Sequence, residues 1–173
     1  MHLHFRALER LLTEQFFTPE GRMYVRGSKA ARCNFAFLEN PRVGGENGRL
    51  RIRARFSGRS ALDLFGRCVG LGDSFELSIR ATPAYKDGVI GLENVEVSGQ
   101  ERPTFYSRRV SKALAASLAR DFRYDVRDQA RKVLEEKRPG VSWRQEVSDF
   151  SVTAIRVTEE AIVLSVAFRL AVK

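Results

Sequence analysis

A chain of 173 residues with 30 basic and 21 acidic side chains carries a formal charge of +9 and has a pI near 10.1. That length fits one domain, residues 1–173, with a core of its own, and the charge favours anionic partners: nucleic acid, an anionic membrane or an acidic protein. The apolar runs are too short to cross a bilayer as a helix, and Arg6, Glu9 and Arg10 interrupt the N-terminus where a signal peptide needs an apolar centre. The expectation is a soluble protein, cytoplasmic as written, or envelope-associated if an export signal has been removed.

Leu3, Ala7, Leu8, Leu11, Leu12 and Phe16 recur at helical spacing, which predicts an amphipathic helix over 3–16 that ends at Thr18-Pro19-Glu20-Gly21. Two short extended stretches, Arg22 to Arg26 and Arg32 to Leu38, follow, and Val43 to Gly48 reads as a loop. Arg49 to Phe56 then alternates without a slip, placing Leu50, Ile52, Ala54 and Phe56 on one face of a strand and Arg49, Arg51, Arg53 and Arg55 on the other. Cys33 and Cys68 lie in apolar surroundings, in segments whose separation the sequence does not set. Two free, buried thiols are expected, with a bridge as the alternative.

Phe75 to Val97 reads as a hairpin turning at Asp87-Gly88. Counting outward from the turn sets Tyr85 against Ile90 and Pro83 against Leu92, but strict pairing would then put Glu96 on the apolar side opposite Ile79. One extra residue near Glu93-Asn94 removes the conflict. Ala81 then meets Val95, Ile79 meets Val97, and Arg80 faces Glu96, so a β-bulge is predicted there.

From Tyr106 to Lys137 the chain lacks glycine and proline, which predicts one long helix stopped by Arg138-Pro139-Gly140. Its apolar residues Val110, Leu114, Leu118, Phe122, Val126 and Ala130 recur every four positions. Each such step overshoots a helical turn by about 40°, so the stripe winds around the helix and asks for a strongly curved sheet as its partner. A closing hairpin, Ser148 to Val157 and Ala161 to Val172, turns near Glu159-Glu160. The order of elements predicts an α+β fold: a strongly curved antiparallel sheet wrapped around a long helix, with a short helix before it.

Catalytic chemistry finds little support. His2 and His4 have no ligand-type neighbours at metal spacing, and Gly70-Leu71-Gly72-Asp73-Ser74 runs into a strand with no histidine downstream to serve as base. No dinucleotide or phosphate-loop glycine pattern is present, and Glu135-Glu136 and Glu159-Glu160 read as solvated charge. No catalytic residue, cofactor or metal is expected. Alternate arginines on a strand lie about 6.7 Å apart, inside the physiological screening length of about 8 Å, so the row repels itself unless neutralised. Asp63, Glu76, Glu93 and Glu96 are available for that. Against anionic headgroups the four arginines would supply about 4 kcal/mol, enough for transient docking. Nucleic acid is the disfavoured partner, because Phe56 and Phe75 point inward, away from the arginines.

This order of elements resembles the tubular lipid-binding superfamily, which includes the bactericidal/permeability-increasing modules and small bacterial envelope phospholipid-binding proteins. The likeness covers nearly the whole chain as a pattern and carries no short motif. It implies a groove between long helix and sheet that accepts acyl chains, usually in the bacterial envelope. The expected function is therefore non-enzymatic binding of a lipid or other apolar ligand. Leu50, Ile52, Phe56, Phe75, Leu77, Ile79, Leu164, Val166 and Phe168 of the sheet would face Leu114, Leu118 and Phe122 of the helix, while Arg49, Arg51, Arg53 and Arg55 would touch an anionic membrane surface. The alternative is a basic interaction or scaffold domain with a filled core that binds an acidic protein or nucleic acid. The ligand and oligomeric state are not readable from the sequence.

Overall fold

The computed structural model describes residues 1–99, 105–135 and 145–172. In chain order the elements are β1 (His2–His4), α1 (Phe5–Phe16), β2 (Arg22–Arg26), β3 (Asn34–Glu46), β4 (Arg49–Leu64), β5 (Arg67–Lys86), β6 (Val89–Ser98), α2 (Phe105–Asp121), β7 (Tyr124–Asp125), α3 (Val126–Leu134), β8 (Gln145–Val157) and β9 (Ala161–Val172). Strands dominate. One sheet runs β2-β3-β4-β5-β6-β7 and is curled, and the other runs β1-β9-β8.

The predicted α+β fold with a sheet around one long helix is therefore corrected: the protein is mostly β with three short helices. The expected helix breaks after Asp121. Tyr124 and Asp125 leave it to pair with Ile90 and Val89 at the edge of the large sheet, and the backbone N–H groups of Val126 and Arg127 reach the Gly88 carbonyl, each at 3.2 Å. Asp125 then caps α3, its side chain accepting from the Asp128 N–H at 2.7 Å. A stripe drifting about 40° every four residues cannot stay on one face of a straight helix over six such positions. Breaking the rod resets its phase, so Val110, Leu114, Leu118, Phe122, Val126 and Ala130 are all buried. Asp125→Ala should cost about 1 kcal/mol in chemical denaturation by freeing that cap. The predicted stop at Arg138-Pro139-Gly140 lies outside the described residues.

The first helix begins two residues later than its periodicity suggests, because β9 claims the residues before it. His2, Leu3 and His4 pair with Val163, Ile162 and Ala161, and Met1 exchanges two 2.8 Å backbone hydrogen bonds with Leu164. Val43 to Glu46 is strand rather than loop, closed by a two-residue turn in which Asn47 and Gly48 both have positive φ, 50° and 73°. Gly45 in that stretch lies against the Thr158 carbonyl, where a Cβ would overlap backbone. Gly45→Ala should therefore destabilise the fold by about 1–3 kcal/mol, read from the midpoint of urea unfolding.

The β5–β6 hairpin has the expected register. Tyr85 pairs with Ile90, Pro83 with Leu92, Arg80 with Glu96 and Ile79 with Val97, and the ladder slips between Arg80 and Thr82, where Asn94 takes a positive φ of 49°. Similar slips occur between Tyr24 and Arg26 of β2 and between Glu39 and Arg42 of β3. Bulges increase local twist, which suits a curled sheet. The core gathers Leu8 and Leu12 of α1, the inward residues of β3 to β6, the α2–α3 stripe, and Val147, Phe150, Ile162 and Leu164 of the small sheet.

Candidate functional site

The twelve residues expected to line an apolar groove divide unequally. Leu50, Ile52, Phe56, Leu77, Ile79, Leu114, Leu118, Phe122 and Leu164 are buried in one cluster, Phe75 and Val166 are half-buried against it, and Phe168 on β9 is exposed. The inner faces of strands and helices thus meet side chain to side chain. A space lined by Leu12, Leu50, Ile52, Ile90, Phe122 and Ile162 among others holds about 10 Å³. That is room for about one water, well short of an acyl chain.

Acids neutralise half of the arginine row. Arg49 pairs with Glu96 at 3.0 Å and donates to the Asn94 carbonyl at 2.6 Å. Arg51 and Arg80 lie opposite each other and share Glu46, at 2.6 and 2.9 Å. The expected Arg80–Glu96 neighbours are present in register, but Glu46, from the segment read as a loop, takes Arg80. Arg55 donates to Ser74 Oγ at 3.1 Å, with Glu39 and Glu76 beside it in the ladder. Arg53 lies beside Arg42 and is unpaired among the described residues.

The hydrogen bond from Arg80, helped by the charge of Arg51, holds the Glu46 carboxyl below its usual range against partial desolvation. A lowered folded-state value means the bridge contributes fully above the unfolded value of 4.5 and is lost as pH falls through the lowered one. Wild type should therefore be more stable than Glu46→Gln at neutral pH. The two melting curves should converge in acid, and a gap that persists there would refute this role for Glu46.

The largest unexplained feature is the far half of the β4–β5 hairpin. The β3 ladder stops at Asn34–Ser60 and the β6 ladder at Ser78–Ser98, so beyond Ser60 the two strands continue with no third strand beside them among the described residues. Its rungs Ser60–Leu71, Leu62–Val69 and Leu64–Arg67 continue the face that carries Phe56–Phe75, after one polar rung, Gly58–Asp73. Leu62, Leu64, Phe65, Val69 and Leu71 are all exposed, Leu71 by 86%. Two-stranded ribbons are marginal alone. This one is tied down at two levels: at its base the Ala61 N–H donates to the Cys33 carbonyl at 3.0 Å and Asn34 donates to the Ala61 carbonyl at 2.8 Å, and next to its apex Cys68, on the Asp63–Cys68 rung, is bridged to Cys33. The expectation of two free thiols is thereby corrected. The separation of the segments was the missing quantity, and folding brings the two Cα atoms to 5.2 Å.

At the apex Phe65 and Gly66 both have positive φ, 53° and 78°. Such a turn favours Asn, Asp or Gly at its first position, and a bulky side chain there is strained. Phe65 is also fully exposed. Neither conformation nor burial accounts for a phenylalanine here, which points to use at the surface. Phe65→Asn should raise stability by about 1 kcal/mol, measured by guanidinium unfolding. Nothing in residue type alone distinguished this segment, since Leu62, Leu64, Val69 and Leu71 read like any core strand. The signal was the hairpin's length beyond the reach of its neighbours.

A second feature lies on the opposite face of the sheet. Arg22 stacks over the Phe37 ring at 4.5 Å, Phe35 stacks on Phe37 at 5.8 Å, and Tyr24 tilts against it at 5.6 Å. Arg22, Phe35 and Phe37, with Ser57, Arg59 and Ser74, border an open hollow of about 590 Å³. Aromatic and basic side chains thus share the outer face, a combination that attention to Phe56 and Phe75 alone overlooked.

No group of three or more His, Cys, Asp or Glu side chains among the described residues is placed to hold a metal ion, and no described helix is long and apolar enough to cross a membrane, which leaves strands unaddressed. No protein-family model, curated protein or solved structure matches the chain.

Proposed function

We propose that this protein is a non-enzymatic module that binds a lipid or other apolar ligand on the exposed face of the β4–β5 ribbon. One observation carries the reading: five large apolar side chains stand in solvent on a disulfide-clamped hairpin whose apex residue is conformationally disfavoured. The tightly filled core favours a surface site over an enclosed groove. Kinship with the tubular lipid-binding superfamily is part of the same proposal; of the features that suggested it, the curved antiparallel sheet is present and the single long helix is not. The Cys33–Cys68 bridge favours an oxidising compartment.

Native mass spectrometry of the purified protein, together with titration of a fluorescent long-chain fatty acid, tests this. Bound apolar molecules or saturable probe binding are expected, with about tenfold weaker probe binding in Leu62→Ser/Leu71→Ser. Clean apoprotein with no probe binding would reject the reading.

The basic interaction domain remains the second reading, favoured by the Arg22, Phe35, Phe37 and Arg59 cluster. An acidic or nucleic-acid partner on that face would be released by Arg22→Ser/Arg59→Ser and by salt, while probe uptake on the ribbon persisted.

A further inference from the structure

We infer that the ribbon's natural occupant is an anionic bilayer, into which Phe65 and the Leu62, Leu64, Val69, Leu71 face insert; this rests on the apolar-ligand reading above. A bilayer suits the site better than an isolated small ligand, because among the described residues no wall stands opposite the two strands to enclose one. A second copy of this chain brings another +9 of charge towards the same surface. A bilayer has neither difficulty, since it offers an unbounded apolar phase beneath a charged layer.

The distribution of polar groups matches that layering. Beyond the polar rung Gly58–Asp73 and the Ser60 hydroxyl, the face is apolar up to Arg67 beside the apex. Arg67 can extend its charged end to headgroup level from a partly inserted position. Arg59 lies at the base of the ribbon on the other face. Both arginines are exposed and unpaired among the described residues. Asp63, on the face opposite the apolar one, turns its Oδ1 to the Gly66 N–H at 2.9 Å, bracing the apex turn. The Cys33–Cys68 bridge fastens the rung next to the apex from the face opposite the apolar one. The ribbon should therefore lie with its apolar face against the bilayer rather than enter it end-on.

Co-sedimentation with phosphatidylcholine vesicles, with and without about one third phosphatidylglycerol, tests the inference. The intact protein should bind the anionic vesicles, more weakly at high salt. Phe65→Asn, which relieves the strained turn and so keeps the fold, should lower binding about tenfold or more. Arg67→Gln should lower it about fivefold on anionic vesicles and leave neutral ones unaffected. In a Trp143→Phe background, Phe65→Trp should be quenched by brominated acyl chains. Absence of vesicle binding alongside retained fatty-acid probe binding would overturn the bilayer and leave the apolar-ligand reading standing. Dimers that Phe65→Asn dissociates, without vesicle binding, would instead identify a second copy as the occupant. Failure of both vesicles and probe would reject both readings.

Discussion

Phe56→Ala is expected to cost about 3–5 kcal/mol of stability, the loss typical of a phenylalanine truncated inside a close-packed core. Phe56 is fully buried, with the Phe75 ring centroid 4.9 Å away and tilted by 37°. Its neighbours Leu77 and Ala54 are also buried and sit opposite each other in the β4–β5 ladder, so little can collapse into the space left behind. The variant separates two kinds of protein. Where a side chain lines an open ligand groove, its removal enlarges the groove and costs little stability. Where it fills a core, its removal costs stability and leaves binding at a distant surface unchanged. Urea unfolding read beside fatty-acid probe titration distinguishes them. A loss below about 1 kcal/mol with altered probe affinity would contradict the filled core. Phe168→Ser, on the exposed end of β9, should by contrast stay within about 0.5 kcal/mol of wild type.

Cys33→Ser/Cys68→Ser should lower stability by about 4 kcal/mol. The bridge spans a sequence separation of 35 residues, and closing a loop of that length removes roughly this much entropy from the unfolded chain. For a chain of this size the melting temperature should fall by about 10 °C. The loss should also be local. Beyond Ala61 the ribbon has no strand neighbour among the described residues, and it is held by Asn34 at its base and by the Cys33 bridge next to its apex, so amide protection should vanish first over 61–71. A double variant that melts with the wild type and keeps its ribbon protected would show that the clamp is dispensable.

Local pattern made much of the fold readable. The Arg49 strand, the bulge opposite Ala81, and the closing hairpin follow from alternation of side chains and from the conflict that a misplaced Glu96 would create. The long helix failed for a reason that pattern does not carry. Phe122 to Asp125 contain no glycine or proline, and the helix ends there because the free edge of β6 accepts Tyr124 and Asp125. That is a tertiary bond winning over helical propensity. Likewise β1 exists only because β9 offers an edge to residues 2–4. Nine of the twelve candidate groove residues gather in one buried cluster, but alternation marks a face as apolar without saying what covers it. For Leu77 the cover is packed protein; for Leu62 and Leu71, on the same hairpin, it is solvent. The length by which β4 and β5 outrun β3 and β6 decides between those outcomes, and that length emerges only once the strands are paired.

Photolabelling with a diazirine-bearing fatty acid, followed by mapping of the modified residues, tests most directly where this protein holds apolar matter. Adducts should concentrate between Ser60 and Leu71, fall about tenfold in Leu62→Ser/Leu71→Ser, and spare Leu114 and Leu118. Adducts on Leu114, Leu118 or Phe56 with an unlabelled ribbon would contradict a filled core with an external apolar site.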